Sequence, residues 1–345
     1  MHHRGPSGPR DGSPSRARRT RRTVLAVVGA VAALTLAACG GGASGSAGSN
    51  TVRVAIAPTG TALPVVVADK QGFFTAQGLD VTYQVSNVTI SDQLATLGRQ
   101  FDVAMGTQPA LLTAAAQGIK LANITGGAVD SKDNPQTDFV ASAGSGITDY
   151  ADLKGKNLGA LTLTGNIHYA VLNAAKEAGA PLGQDTNWVV GTVPQLPDTL
   201  KAGRVDGIEE IEPFAGMTVA NGGVSLGSPF RSLGDEAFLG IFLASKDWAD
   251  ANQDTVLKFN TALAQAADWI TKNQAESLKL LGSYTNTSEA VLSKTRLPDF
   301  KFQTTAADLK AVQGADTDTW IGLLKEFGNF KGSVTSADVL PSWAG

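Results

Sequence analysis

Asp102-Val103-Ala104-Met105-Gly106-Thr107-Gln108-Pro109 and Asp206-Gly207-Ile208-Glu209-Glu210-Ile211-Glu212-Pro213 are the two stretches whose reading decides the fold of this chain. Each runs from an Asp across six residues to a Pro. In each, a Gly stands nine residues after the Pro (Gly118 and Gly222), and a Gly-Arg pair comes just before the Asp (Gly98-Arg99 and Gly203-Arg204). The pattern predicts a strand, a turn, and a helix that opens at Pro and closes at Gly. Proline lacks the N–H that a first helical turn leaves unpaired, and glycine accepts the left-handed conformation of a helix end. Four features aligned in the same order predict one strand–loop–helix unit used twice, in two similar lobes.

Reading outward, the chain alternates strands and helices. Val52–Ala57, Leu79–Val85 and Phe101–Met105 read as strands, and Pro64–Gly72, Ser91–Leu97 and Pro109–Gly118 as helices. Such alternation predicts α/β architecture with largely parallel sheets. Apolar runs at 138–142 and 239–243 suggest two crossings between the lobes. Lobe 1 is therefore expected to be discontinuous, residues 51–140 and 241–345, with lobe 2 spanning 141–240. Apolar residues at helical spacing (Val256, Phe259, Leu263, Ala267, Ile270) predict helices over 255–272, 275–284, 306–313 and 319–327.

Composition narrows the function. With 345 residues and 43% of them hydrophobic, the chain can bury a substantial core. It has one Cys and three His, two of them His2 and His3. An internal disulfide, a Cys-rich zinc site and a multi-His metal site are thereby excluded, and no cofactor is expected. A basic run from Arg16 to Arg22 precedes the apolar stretch Val24–Ala38. That stretch is shorter than the ~20 residues a membrane-spanning helix needs, so residues 1–38 read as an export signal. Leu36-Ala37-Ala38-Cys39 resembles a bacterial lipobox, in which Cys39 becomes lipidated. Residues 39–50 then form a Gly/Ser-rich tether. Thr20–Leu25 resembles a twin-arginine signal, although the same basic run serves the general export route. Removing residues 1–38 takes away seven Arg and one Asp, leaving 21 basic against 30 acidic residues, a net charge of −9. No basic stripe is left for phosphates, so nucleic acid is not an expected partner.

Leu63-Pro64, Ala68-Asp69-Lys70-Gln71-Gly72-Phe73-Phe74 and Gly78-Leu79-Asp80-Val81 resemble the opening of the nitrate/sulfonate/taurine-type solute-binding proteins of ABC importers. The resemblance continues through Asp152-Leu153-Lys154-Gly155-Lys156, Gly165-Asn166-Ile167-His168, Gly203-Arg204-Val205-Asp206 and Glu212-Pro213-Phe214. It implies a type II periplasmic binding protein: two α/β lobes with a cleft between them and a helical C-terminal tail packed on lobe 1. It also implies a small organic ligand, sulfonate-like or pyrimidine-like, and a permease partner. The leader agrees with a protein exported and held on the outer face of the membrane through lipidated Cys39, and no coiled-coil pattern or long apolar edge points beyond a monomer.

Carried over by motif, five loops hold the candidate contacts: Thr59, Gly60 and Thr61; Thr89 and Ser91; Thr107 and Gln108; Thr164, Gly165, Asn166 and His168; Glu210 and Glu212. Ser91, Thr107 and Asn166 suit helix capping as well as ligand binding, and His168 suits a ligand or its own helix. No Arg or Lys lies in these loops. On a strand Glu210 and Glu212 share a face, with Glu209 opposite. If both face the ligand, a cationic or zwitterionic solute is favoured. If Glu212 caps its own helix and Glu210 points to solvent, the ligand charge stays open. Two other functions fit the same fold. One is an enzyme, pyrimidine-synthase-like or a hydrolase on His168, for which the body beyond Cys39 offers no Cys and no oxyanion-hole signature. The other is a ligand-binding module for a membrane sensor.

Overall fold

The computed structural model describes residues 50–86, 88–328 and 330–345. The export signal, Cys39 and most of the tether lie outside the described residues. The described residues belong to one compact unit.

Among the described residues, thirteen strands follow in chain order. They are β1 Thr51–Ile56, β2 Asp80–Val85, β3 Val103–Gly106, β4 Leu121–Thr125, β5 Ala128–Ser131, β6 Thr137–Ala141 and β7 Asn157–Ala160, then β8 Asn187–Val190, β9 Gly207–Ile211, β10 Val224–Ser225, β11 Glu236–Phe238, β12 Ile241–Ser245 and β13 Asp299–Phe300. They form two five-stranded sheets, β2-β1-β3-β12-β4 and β10-β6-β9-β7-β8, and a three-stranded sheet, β11-β5-β13.

The two large sheets share one plan. In the first, β1 pairs in parallel with β2 and β3, and β12 runs antiparallel between β3 and β4. In the second, β7 pairs in parallel with β8 and β9, and β6 runs antiparallel between β9 and β10. The sequence repeat thus sits at equivalent places, β3 and β9. Its Asp does the same work twice. Asp102 Oδ2 accepts from Arg53 N at 2.8 Å, and Asp206 Oδ2 accepts from Asn157 N at 2.8 Å. Each Asp thereby takes the N–H of the residue just before the first paired position of the neighbouring parallel strand, Val54 with Val103 and Leu158 with Gly207. The repeated glycines Gly98, Gly118, Gly203 and Gly222 all take positive φ, between 67° and 98°, a region a Cβ disfavours.

The chain enters the second sheet at Thr137, so a division at 140/141 cuts through β6, all of which pairs with β9. Strands β5 and β11 carry the chain between the two large sheets and pair with each other. Asp130 on β5 anchors this crossing. It is fully buried and accepts from Gln136 N, Thr137 N, Thr137 Oγ1, Ser228 Oγ and Arg231 Nη2, all at 2.6–2.9 Å.

One face of the first sheet packs on the helices Leu63–Lys70 and Gln253–Lys272. Phe259 is its centre, stacked on Phe74 at 5.4 Å and edge-on to Phe242 at 6.0 Å. In place of two short helices after 305, one helix of 22 residues spans Ala306–Phe327. The stretch Gln313–Thr319 reads as a break because it is small and polar, yet its polar face is the buried one. Gln313 and Thr317 are fully buried, and Gln313 joins Asn123 and Gln303 through hydrogen bonds of 2.6 and 2.9 Å. This helix also reaches the second lobe. Trp320 packs edge-on against Phe230, and Glu326 pairs with Lys176 of the helix Asn166–Glu177.

Candidate functional site

The five candidate loops leave the carboxyl ends of β1, β2, β3, β7 and β9. In open α/β sheets this is the end where helix N-termini present unpaired N–H groups, and ligands collect there.

In the first loop, Thr59 and Thr61 place their hydroxyls 2.7 Å apart, and Tyr284 donates to Thr59 O at 2.6 Å. Burial raises the Tyr284 phenol well above its ordinary range, so it remains a donor. In the second, Thr89 caps the short helix Ile90–Leu94. Its hydroxyl accepts from Asp92 N at 3.2 Å and donates to Asp92 Oδ2 at 2.8 Å. Ser91 is exposed, whereas Gln93 is buried and donates to Ala55 O.

In the third loop, Thr107 stands at the N-terminus of the helix Gln108–Ala116, but its hydroxyl makes no capping bond. Gln108 is turned inward. It is 2% exposed, donates to Asp316 Oδ2 at 2.8 Å and accepts from Thr317. Burial raises the Asp316 carboxyl to about 6. Gln108 therefore ties the third loop to the C-terminal helix.

In the fourth loop, Thr164 is exposed and Gly165 opens the helix Asn166–Glu177. A Cβ at Gly165 would sit 2.6 Å from the methyl of the exposed Thr162, so a larger residue there would require that side chain to shift. Asn166 donates to Leu239 O at 3.0 Å. His168 lies one turn in and is 5% exposed. It shares a 2.7 Å hydrogen bond with Glu209 and packs edge-on against Trp188, 4.6 Å between centroids. Glu209 also accepts from Leu161 N, and burial raises its carboxyl against the pull of His168. The pair lies inside the second lobe and ties the helix Asn166–Glu177 to β9.

In the fifth loop, Glu210 points away from Glu209, as alternation along a strand requires. It is fully buried with no solvent contact. Oε1 accepts from Ile211 N, and Oε2 has no partner. Across the β6–β9 ladder it faces Asp138, whose Oδ1 is likewise buried and unpartnered. Burial, with the nearby charge of Glu212, raises Glu210 to about 8 and moves Asp138 in the same direction. Glu212 caps its own helix by accepting from Gly216 N at 3.3 Å. Its other oxygen pairs with Arg296.

Two bridges bring these loops together. Leu239-Gly240 joins the third and fourth: Asn166 holds Leu239 O, and a Cβ at Gly240 would lie 3.7 Å from Gly106 O. Arg296-Leu297-Pro298 joins the first and fifth: Arg296 pairs with Glu212, and a Cβ at Gly60 would lie 3.9 Å from Pro298 Cδ. Arg296, Asp138 and Leu239 were not among the sequence candidates. Asp138 and Leu239 open the two runs read as lobe crossings, but nothing local points them at these loops, and nothing local marks Arg296. Arg296 changes the electrostatics most, since it sets a guanidinium on a loop otherwise read as purely acidic. Two cavities of about 390 and about 360 Å³ lie around Lys301, Gln303 and Val312; none of the candidate residues lines them, although Asp316, the partner of Gln108, lines the first.

Comparison with known proteins agrees with the architecture. The periplasmic aliphatic sulphonate binding protein SsuA from Escherichia coli superposes with a TM-score of 0.68 at 16% identity, covering 84% of this chain and 97% of that one. The alkanesulfonate-binding protein SsuA from Xanthomonas axonopodis pv. citri, bound to MOPS, gives 0.65 at 19% identity, covering 87% and 99%. The periplasmic nitrate-binding protein NrtA from Synechocystis PCC 6803 gives 0.62 at 14% identity, covering 83% of each chain. No curated protein sequence matches the chain. At these identities the likeness establishes the two-lobed periplasmic binding protein fold. The family profile described as NMT1/THI5 like matches residues 60–277, well over half of the chain, and the chain belongs to that family.

Proposed function

We propose that this chain is the extracytoplasmic solute-binding component of an ABC importer, holding a small organic solute, sulfonate-like or pyrimidine-like, between its lobes. The lobes we assign are residues 51–136 with 239–345, and residues 137–238. The observation that carries the reading is the convergence of loops from the carboxyl ends of two equivalently built sheets, with Arg296 and Asn166 reaching from one lobe to the other. Named neighbours of the same fold bind sulfonates and nitrate, and the family match supports the same class. The ligand contacts we propose are Thr59, Gly60, Thr61, Thr89, Ser91, Thr107, Thr164, Gly165 and Glu212. Gln108, Asn166, His168 and Glu210 act behind them as supports.

The enzyme alternative has less to stand on, because His168 is committed to Glu209 inside the lobe. The leader supports export and anchoring through lipidated Cys39. Replacing Cys39→Ser should release the protein from membranes into the medium, and a variant that stays membrane-bound would refute the anchor. The function itself is tested by melting the purified chain with alkanesulfonates, nitrate, bicarbonate, pyrimidines and amines. Ligand at 100 times its Kd adds about 2.7 kcal/mol of stability, a shift easily read. If none of these solutes moves the melting temperature, the solute class is wrong.

A further inference from the structure

We propose that the cavity of about 390 Å³ between the crossing strands and the C-terminal helix is a second small-molecule site, holding an organic cation with an apolar body whose charge pairs with Asp316. Its volume lies within the ~300–1,000 Å³ of small-molecule sites. One wall carries Val129 of β5 and Phe238 of β11, the strands that take the chain between the two large sheets. The other is one face of the helix Ala306–Phe327, where Val312, Ala315, Asp316 and Thr319 recur at helical spacing. Val312 is 41% exposed on that face, an aliphatic side chain left open to the space that an apolar body would fill. A molecule seated here touches the crossing itself, apart from the candidate loops, and the proposal does not depend on the solute-binding reading.

The charge of the walls sets the sign of the ligand. Among the described residues, Lys301 is the single base lining this cavity, and it is paired with Glu236, both side chains half-exposed. The adjoining cavity of about 360 Å³ shares Lys301 and Val312 and adds Asp268 and Asp308 with no further base. Asp316 is the carboxylate without a cation. Its Oδ2 accepts from Gln108 at 2.8 Å, and Trp320 supplies a second hydrogen bond. Both donors are neutral, so this part-buried carboxylate lacks a counter-charge, and burial holds it up at about 6. A bound ammonium supplies the missing charge, while burying the ligand's body against Val129, Phe238 and Val312 takes apolar surface out of water. An anion would instead meet four carboxylates and one committed lysine across the two cavities.

The test is calorimetric titration of the chain from Gly40 onward, which contains every described residue. The probes are n-butylamine, n-hexylamine and benzylamine, each with the alcohol and the carboxylate of the same chain. At least one amine should bind once per chain with a Kd below about 1 mM, and about 10-fold or more tightly than its alcohol or carboxylate counterpart. Asp316→Asn should weaken it by about 10- to 100-fold, the range for losing a charged hydrogen-bond partner. Ala315→Phe, at an exposed position, should abolish binding by filling the space, and circular dichroism checks that both variants are folded. Lowering the pH from about 7 to about 5 should weaken binding about 10-fold, because Asp316 takes up a proton near pH 6. Amine binding should slow hydrogen exchange in residues 128–131, 236–238 and 306–327. No amine binding, alcohols binding as tightly as amines, affinity unchanged in both variants, or slowing confined to the candidate loops would overturn the second site and leave the solute-binding reading intact. Failure of the solute panel, with the amine results as expected, would overturn that reading and leave this site standing.

Discussion

Replacing Asp130→Asn should cost this protein more than its single-atom change suggests. The Asp130 carboxylate is fully buried and receives five donors, two of them backbone N–H groups and one the Arg231 guanidinium. Asparagine offers one acceptor oxygen and one NH2 group. If the NH2 takes the Oδ2 position, it faces Gln136 N and Thr137 N, which have no freedom to turn. If it takes the Oδ1 position, it faces Arg231. Either way at least one strong donor is left unpaired, and Arg231, 28% exposed, loses its counter-charge. Breaking a buried ion pair from one side costs ~3–5 kcal/mol. At roughly 2–4 °C per kcal/mol for a chain of this size class, about 4 kcal/mol lowers the melting temperature by about 8–16 °C. Calorimetry and urea unfolding followed by tryptophan fluorescence would measure it. Adding Arg231→Met to Asp130→Asn should restore part of the loss, because the stranded cation goes. A melting temperature lowered by less than about 2 °C, or two strictly additive single losses, would refute the account of Asp130 as the anchor of the crossing.

Two further outcomes are expected. Burial and the charge of Glu212 raise the Glu210 carboxyl from 4.5 to about 8 in the folded protein. The native state then holds a proton that the unfolded chain gives up, so this group's contribution to stability falls as pH rises from about 4.5 through about 8. Glu210→Gln removes that dependence. Its stability relative to the parent should increase between pH about 5 and about 9, and a difference that stays constant across that range would contradict it. At Gly127, an added Cβ would sit 2.7 Å from the backbone oxygen of Gly240, which cannot rotate aside. Gly127→Ala should therefore cost ~1–3 kcal/mol in urea unfolding, and an unchanged midpoint would show that the two crossing segments are looser than this contact implies.

The repeat legible in the sequence proved to be a repeat of topology. Asp102 and Asp206, Gly98 and Gly203, Gly118 and Gly222 align along the chain because each serves a local need. An Asp takes the backbone N–H just before a parallel pairing starts, and a Gly makes a left-handed turn. The alternation that sets Glu209 against Glu210 is local too, since successive strand residues face opposite ways. The helix Ala306–Phe327 shows where local reading stops. Its small polar middle looks like a break, and it is continuous because Gln313 and Thr317 find Asn123, Gln303 and Gln108 across the fold.

The same boundary runs through the site. From the sequence alone came the α/β class, the two lobes, the loops at strand ends and the reading of an export leader, all of which follow from patterns a few residues long. Which side chains in those loops are free was decided by tertiary packing. Gln108 is taken by Asp316, His168 by Glu209, and Asn166 by Leu239. Arg296 stands 84 residues from Glu212 along the chain. Only the folding of one lobe against the other brings them together, because neither local stretch carries a sign of its partner.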